Sequence, residues 1–284
     1  MWNAQTLDLG SGRSLHAHQA GAGPDVVLLH GALTTGHDWL ESPIAADLAR
    51  DHRVTIVDRP GHGLSRRPRF SGSPREQAAQ IAEGLEKLAV RQPVVAAHSF
   101  GGLVTLALAE RLHERMAAMV LVAPIAFPEP RLLEHSLLAP RSVPFFGPML
   151  SQVAETTPFD RAMLAIAQRL MFSPQDISAR WAETFPYGLV LDAEALVFEG
   201  EDAAAILPLS PAGSFPVAGF ETPAHVFSGT SDKIVEDERQ GKALARLLPN
   251  GRLTEIEGGG HMLHHTHPSP IIAAIREAAA PTGA

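Results

Sequence analysis

The chain of 284 residues contains no cysteine, which excludes disulfides, a thiolate nucleophile and cysteine-ligated metal. It has no apolar run long enough to span a bilayer. Residues 1–10 also lack the charged-then-apolar pattern of a secretory signal, so a cytoplasmic protein with no membrane partner is expected. Basic residues are scarce: 23 Lys and Arg stand against 31 Asp and Glu, a formal charge of −8 that argues against a nucleic-acid partner. Arg66, Arg67 and Arg69 form the notable basic cluster, and a solvated loop accounts for it. There is no internal repeat and no low-complexity tract.

What is present is enough length to bury a sizeable core and an apolar fraction of 45%, that of a globular protein. Short β-rich apolar runs recur at 26–29, 54–57, 94–97, 119–122, 225–227 and 253–256. Helix-period segments separate several of them, at 74–90, 103–115, 236–248 and 270–280. In the first of these, Ala78, Ile81, Leu85 and Leu88 fall on one stripe while Glu76, Glu83 and Glu86 lie off it. Residues 6–9 and 14–18, separated by a Gly-Ser-Gly turn, read as an antiparallel hairpin. The expected class is α/β, a mostly parallel central sheet with helices on both faces.

The alternation breaks over residues 126–221, which hold 11 of the 23 prolines and 9 of the 12 phenylalanines. Helices are expected there at 159–172, 174–185 and 189–198, with no strands between them. An insertion between parallel strands emerges at their carboxyl ends, where α/β proteins bind ligands. The expected organisation is a core of residues 1–125 and 222–284 with a helical cap, 126–221, inserted between strands. Most of its phenylalanines should form the cap's own core and a minority should face a pocket. The cap is expected to set substrate preference and to contribute little to the chemical machinery.

The segment Val94 to Gly102, VVAAHSFGG, stops an apolar run at a serine set between small residues and then enters an Ala/Leu-rich segment. That is a strand, a sharp turn and a helix with Ser99 at the tip, the placement of a nucleophile. A serine hydroxyl needs a base, and the base needs a third group to orient it. The strand at 225–227 runs into a loop carrying Asp232, and that at 253–256 into a glycine-rich loop carrying His261. The oxyanion of an acyl-transfer intermediate needs backbone donors. Phe100, directly after Ser99, supplies one; Ala32, after the His30-Gly31 turn, supplies the other in preference to Leu33.

These motifs, with DRPGHGLS at Asp58 to Ser65, GTSDKIV from Gly229 and GGGH from Gly258, resemble an α/β-hydrolase fold enzyme with a helical cap over essentially the whole chain. The resemblance implies Ser99 as nucleophile, Asp232 as acid, His261 as base, and Ala32 with Phe100 as the oxyanion hole. It does not identify a substrate, because esterases, lactonases, carbon–carbon bond hydrolases, perhydrolases and peptidases share these motifs. The Asp58 to Ser65 segment is expected to be a structural loop at the pocket's floor.

Other residues compete for these roles. Asp202 is an alternative acid, but no strand precedes it. His261, His264, His265 and His267 invite a metal reading, which the glycine loop and Pro268 disfavour; no metal and no cofactor are expected. His30 and His98 should shape loops by hydrogen bonding. Asp38, in GHDW, imitates an aspartate-nucleophile turn, but Leu40 and Glu41 stand where small residues are required. The expected activity is carboxylic-ester hydrolysis of a small or medium apolar acyl substrate by a serine hydrolase, present as monomer or homodimer, with a small molecule as its partner. The alternatives are a hydrolase of carbon–carbon bonds in ring-cleavage products, which tends to carry Trp after the catalytic His where this chain has Met262, and a slow-turnover receptor or accessory protein on the same fold.

Overall fold

Each short apolar run is a strand, because aliphatic and β-branched side chains fit a pleated surface covered on both faces. The computed structural model describes residues 1–129, 132–207 and 214–280. Its strands are Asn3–Gly10 (β1), Arg13–Ala20 (β2), Asp25–Leu29 (β3), Arg53–Val57 (β4), Val94–His98 (β5), Ala118–Val122 (β6), Ala224–Gly229 (β7) and Gly251–Ile256 (β8). They form one sheet in the order β1-β2-β4-β3-β5-β6-β7-β8. The β1–β2 hairpin joins antiparallel to β4, and every other pair is parallel.

Strand periodicity sends alternate residues to opposite faces. Val27, Leu29, Val95 and Leu121 enter one apolar cluster with Ile81, Leu103 and Leu106 of the covering helices. Val26, Leu28, Val94 and Val120 enter the other, against Ile44, Ile271 and Ile275. One covering helix is Pro74–Lys87 (α1), begun by a capping box in which the Ser73 side chain accepts from the Glu76 N–H and the Glu76 carboxylate reaches back to the Ser73 backbone. The next, Phe100–Leu112 (α2), starts three residues before the position read from sequence. Gly101 and Gly102 lie inside it because the helix crosses tightly there. A Cβ on Gly101 would stand 2.8 Å from the carbonyl oxygens of both Leu29 and His30, and one on Gly102 2.8 Å from Pro124.

Between β6 and β7 the main helices are Phe146–Glu155 (α3), Phe159–Phe172 (α4) and Ala193–Ala205 (α5), with no strand among the described residues. The helix expected at 174–185 is shortened to Ala179–Thr184, because the Ser178 side chain accepts from the Trp181 N–H and starts the helix there. The one expected at 189–198 is broken at Asp192, whose carboxylate caps the Glu194 and Ala195 amides at the start of α5. A third apolar cluster joins Leu164, Phe172, Trp181 and Phe185 of this excursion to Met262 of the sheet domain. After β7 the expected single helix at 236–248 is a short turn, Asp237–Arg239, followed by Gly241–Leu247 (α6); the last helix is Pro268–Ala279 (α7).

The end of β7 presses on the loop after β8. A Cβ on Gly229 would meet the carbonyl oxygens of Gly259 and Gly260 at 2.3 and 2.5 Å, whereas one on Gly188 meets nothing within 4 Å. Gly229→Ala should therefore destabilise the fold by about 2–3 kcal/mol, as overpacking against backbone does. Gly188→Ala should be neutral or stabilising by up to about 1 kcal/mol. Urea midpoints of the two variants check this, and equal midpoints would contradict the packing at 259–260.

Candidate active site

Ser99 sits between β5 and α2 with φ 51° and ψ −120°, a backbone conformation that costs a non-glycine residue energy. Its amide donates to the Val122 carbonyl at 3.0 Å, and its own carbonyl accepts from Gly102 and Ile125 at 2.9 and 3.0 Å. The turn is thus fixed from the neighbouring strand and from the helix it starts. Phe100 is the first residue of α2, so its N–H has no acceptor inside the helix.

His261 follows β8 and is buried at 1% exposure. Its Nδ1 lies 2.8 Å from Asp232 Oδ2. The other carboxylate oxygen of Asp232 accepts from the Ile234 and Val235 amides at 2.7 and 3.0 Å. Burial on its own would raise the Asp232 pKa, but the neighbouring imidazole and these three hydrogen bonds hold it below the usual carboxylate range. Asp232 is thereby kept ionised behind the ring, where it fixes the tautomer with Nδ1 protonated.

Ser99, His261, Ala32 and Leu33 line one cavity of about 380 Å³. Its remaining wall is mostly apolar and comes largely from α4, through Phe159, Met163, Leu164, Ile166, Leu170 and Met171. Of the nine phenylalanines expected to include pocket residues, Phe159 is the one in this wall; Phe172 and Phe185 pack inside the excursion. No residue of Asp58 to Ser65 lines the cavity, so that loop is structural without being the pocket's floor. The Asp58 carboxylate accepts from Gly36 and Leu64 amides at 2.7 and 2.8 Å and closes the loop on itself.

The excursion reaches further into the site than its sequence implies. The His261 amide donates to the Met171 carbonyl at the end of α4, at 3.1 Å. Gln175 brackets the same loop, its amide donating to the Gly258 carbonyl at 2.7 Å and its carbonyl accepting from Gly260 at 3.0 Å. The Leu33 N–H donates to Glu199 of α5 at 2.7 Å. Beside the expectation that residues 126–221 contribute little to the machinery stand these contacts from Met171, Gln175 and Glu199 to the loops of His261 and Leu33. A glutamine after a cis-proline and a glutamate inside a helix carry no sequence signal for such roles.

Two further polar groups meet at α5. Arg66 is exposed, but Arg67 is fully buried against Glu201, which also pairs with Arg69 at 2.6 Å. The cluster is a joint to α5 rather than a solvated loop. Asp202 is far from being the acid of His261: it pairs with Arg59 at 2.6 Å and His62 at 3.0 Å. Burial would raise its pKa, yet these partners hold it well below the ordinary value.

The histidines after His261 also have occupations. Asp38, buried and outside the cavity, accepts from His264 at 2.9 Å, from His265 at 2.8 Å and from the Trp181 indole at 3.0 Å. Donor atoms of Asp38, His98 and His264 lie within 4.8 Å of one another, but both carboxylate oxygens are already engaged. His98 packs between His261 and His264, with ring centroids at 4.6 and 4.4 Å, and its Nε2 meets the His261 carbonyl at 3.2 Å. His30 Nε2 accepts from the Arg59 amide at 2.9 Å. Both do shape loops.

A family model described as alpha/beta hydrolase fold matches residues 24–268. A pimeloyl-(acyl-carrier protein) methyl ester esterase of Chromobacterium violaceum is 29% identical over 274 residues, 93% of this chain and 97% of that protein. The magnesium-chelatase 30 kDa subunit of Rhodobacter capsulatus is 29% identical over 254 residues, 85% and 82% of the two chains. An esterase from Rhodococcus sp. of known structure matches with a TM-score of 0.75 at 23% identity, covering 99% of each chain, a likeness of fold.

Three buried imidazoles, His30, His98 and His264, make stability depend on pH in one sense, opposed among the described histidines by His62 alone, whose pKa is raised by its carboxylate neighbours. Burial outweighs the pull of the Asp38 carboxylate and holds His264 down to about 4; burial also lowers His30 and His98 well below the ordinary value. Unfolded, each titrates near 6.5, so between about pH 6.5 and 4 the unfolded chain binds more protons and stability falls as pH falls. Urea unfolding at pH 7, 6 and 5 should show that decline, with up to about 1.4 kcal/mol per pH unit from each such histidine. His264→Asn should flatten it. An unchanged slope in the variant would show that His264 is not held neutral.

Proposed function

The chain belongs to the alpha/beta hydrolase fold family, and from that premise we propose that it is a serine hydrolase that cleaves carboxylic esters of a small or medium apolar acyl group. The observation that carries the reading is the 2.8 Å Asp232–His261 bond behind a cavity that also holds Ser99 and Ala32. In this reading His261 Nε2 takes the Ser99 proton as Oγ attacks the ester carbonyl. The oxyanion forms against the Ala32 and Phe100 N–H groups, and collapse expels the alcohol, which leaves with the proton from His261. Water, activated by the same imidazole, then releases the acid and restores Ser99.

Residues 126–221 act as the cap, with the apolar wall from α4 taking the acyl chain. The esterase named among the relatives supports the ester reading. The relative named as a chelatase subunit favours a second one, a binding or accessory role that needs no turnover at Ser99.

Labelling with a fluorophosphonate followed by peptide mapping tests the first against the second. The label should fall on Ser99 and vanish in Ser99→Ala, with turnover down by at least about four orders of magnitude. Asp232→Asn should lose about four orders of magnitude while keeping the fold. With nitrophenyl esters from acetate to decanoate, kcat/KM should rise about threefold to fourfold per CH₂ until the cavity is full, and Leu170→Ala should move the optimum to longer chains. An unlabelled Ser99 with no ester turnover would overturn this function.

A further inference from the structure

The oxyanion loop, residues 30–33, is gripped from both sides by groups buried under α5. Arg59 donates through Nε to the His30 carbonyl and through a terminal nitrogen to the Gly31 carbonyl, both at 3.0 Å. Its other terminal nitrogen pairs with Asp202 of α5 and with the Gln77 carbonyl oxygen, at 2.6 and 2.9 Å. The guanidinium also lies 4.7 Å from the ring centre of Phe100. On the far side, Glu199 of α5 accepts the Leu33 N–H at 2.7 Å and meets His62 Nδ1 at 3.3 Å. His62 bridges to Asp202 at 3.0 Å. Burial and Arg59 lower the His62 pKa, but Glu199 and Asp202 outweigh them and raise it, which favours the protonated ring between the two carboxylates.

Leu33 has φ 54°, a conformation that bulky residues rarely adopt and that persists only where the surroundings impose it. The carboxylate of Glu199, 2% exposed, is the acceptor that holds the Leu33 amide in that orientation. With the His30 and Gly31 carbonyls taken by Arg59 and the Leu33 amide taken by Glu199, the peptide planes on either side of Ala32 are set. No acceptor among the described residues engages the Ala32 N–H.

Resting on the serine-hydrolase reading above, we infer that Glu199 is a positioning residue of the oxyanion hole: the cap carboxylate acts through the Leu33 amide to hold the Ala32 N–H toward the reacting carbonyl. Docking of α5 then assembles the oxyanion hole as well as roofing the site. Glu201, two residues on, pairs with Arg67 and Arg69 and accepts the Phe70 N–H, and makes no hydrogen bond or ion pair to residues 30–33. It anchors the same helix without the same effect.

The test compares Glu199→Leu, Glu199→Gln and Glu201→Gln with the wild type, reading kcat and KM on one nitrophenyl ester, the rate of Ser99 labelling, amide exchange at Leu33 and Tm. Glu199→Leu should lose about 10²- to 10³-fold in kcat, the cost of one misplaced oxyanion donor, with KM changed less than about threefold. Its labelling should slow and its Leu33 exchange quicken. Glu199→Gln keeps an acceptor oxygen and should restore kcat to within about tenfold, since a neutral acceptor is weaker than a carboxylate. Glu201→Gln should lower Tm with kcat within about twofold of wild type. Wild-type kcat in Glu199→Leu, or equal loss of kcat in the two helix variants, overturns the inference while Ser99 is still labelled in the wild type. Absence of label in the wild type removes the hydrolase reading and this one with it.

Discussion

A serine with φ 51° is the constraint around which the rest of the molecule is arranged. A left-handed residue between a strand and a helix costs about 1–3 kcal/mol and survives only where its neighbours over-determine it. Here β6 holds its amide, the first turn of α2 and Ile125 hold its carbonyl, and Gly31 and Gly101 clear the space on either side. A Cβ on Gly31 would stand 3.0 Å from the Ser99 Cβ and 3.1 Å from His98 Nδ1, so a side chain there would have to push the serine turn or the His98 ring aside by a few tenths of an ångström. The sheet order brings these loops together, because β3 and β8 flank the β5–β7 centre and all run the same way.

The Asp232–His261 pair depends on more distant elements. Its loop packs against β7 through Gly229 and is bonded from outside by the Met171 carbonyl and the Gln175 side chain. The excursion between β6 and β7 therefore holds the His261 loop through the end of α4 and Gln175, and the Leu33 turn through α5. A substitution in this excursion can loosen either loop without lining the cavity.

Much of this was legible in the sequence. Runs such as VVLL and VVAA are too short for helices and too apolar for exposed strands, so six strands were placed within a residue or two of their observed ends. Ser99, Asp232 and His261 were legible because each directly follows such a run. Helix boundaries were harder: Gly101 and Gly102 read as small residues of the turn, whereas they lie inside α2, where Gly101 lets it pass the Leu29 and His30 carbonyls and Gly102 lets it pass Pro124. Arg59, Arg67, Glu199 and Gln175 were not legible at all. Their partners lie more than 80 residues away in several cases, and a charged or amide side chain in isolation reads as solvent-facing.

The joint between α5 and the loop at 59–69 is ionic and buried: Arg59, His62 and Arg67 face Glu199, Glu201 and Asp202, each at most 8% exposed. Removing charges from water costs less as temperature rises, whereas apolar stabilisation levels off. Warming therefore spares this joint relative to the apolar contacts of Leu164, Phe172 and Trp181 on the other side of the excursion. The excursion should come apart by stages on heating, its α4 side loosening while α5 remains seated on the sheet domain.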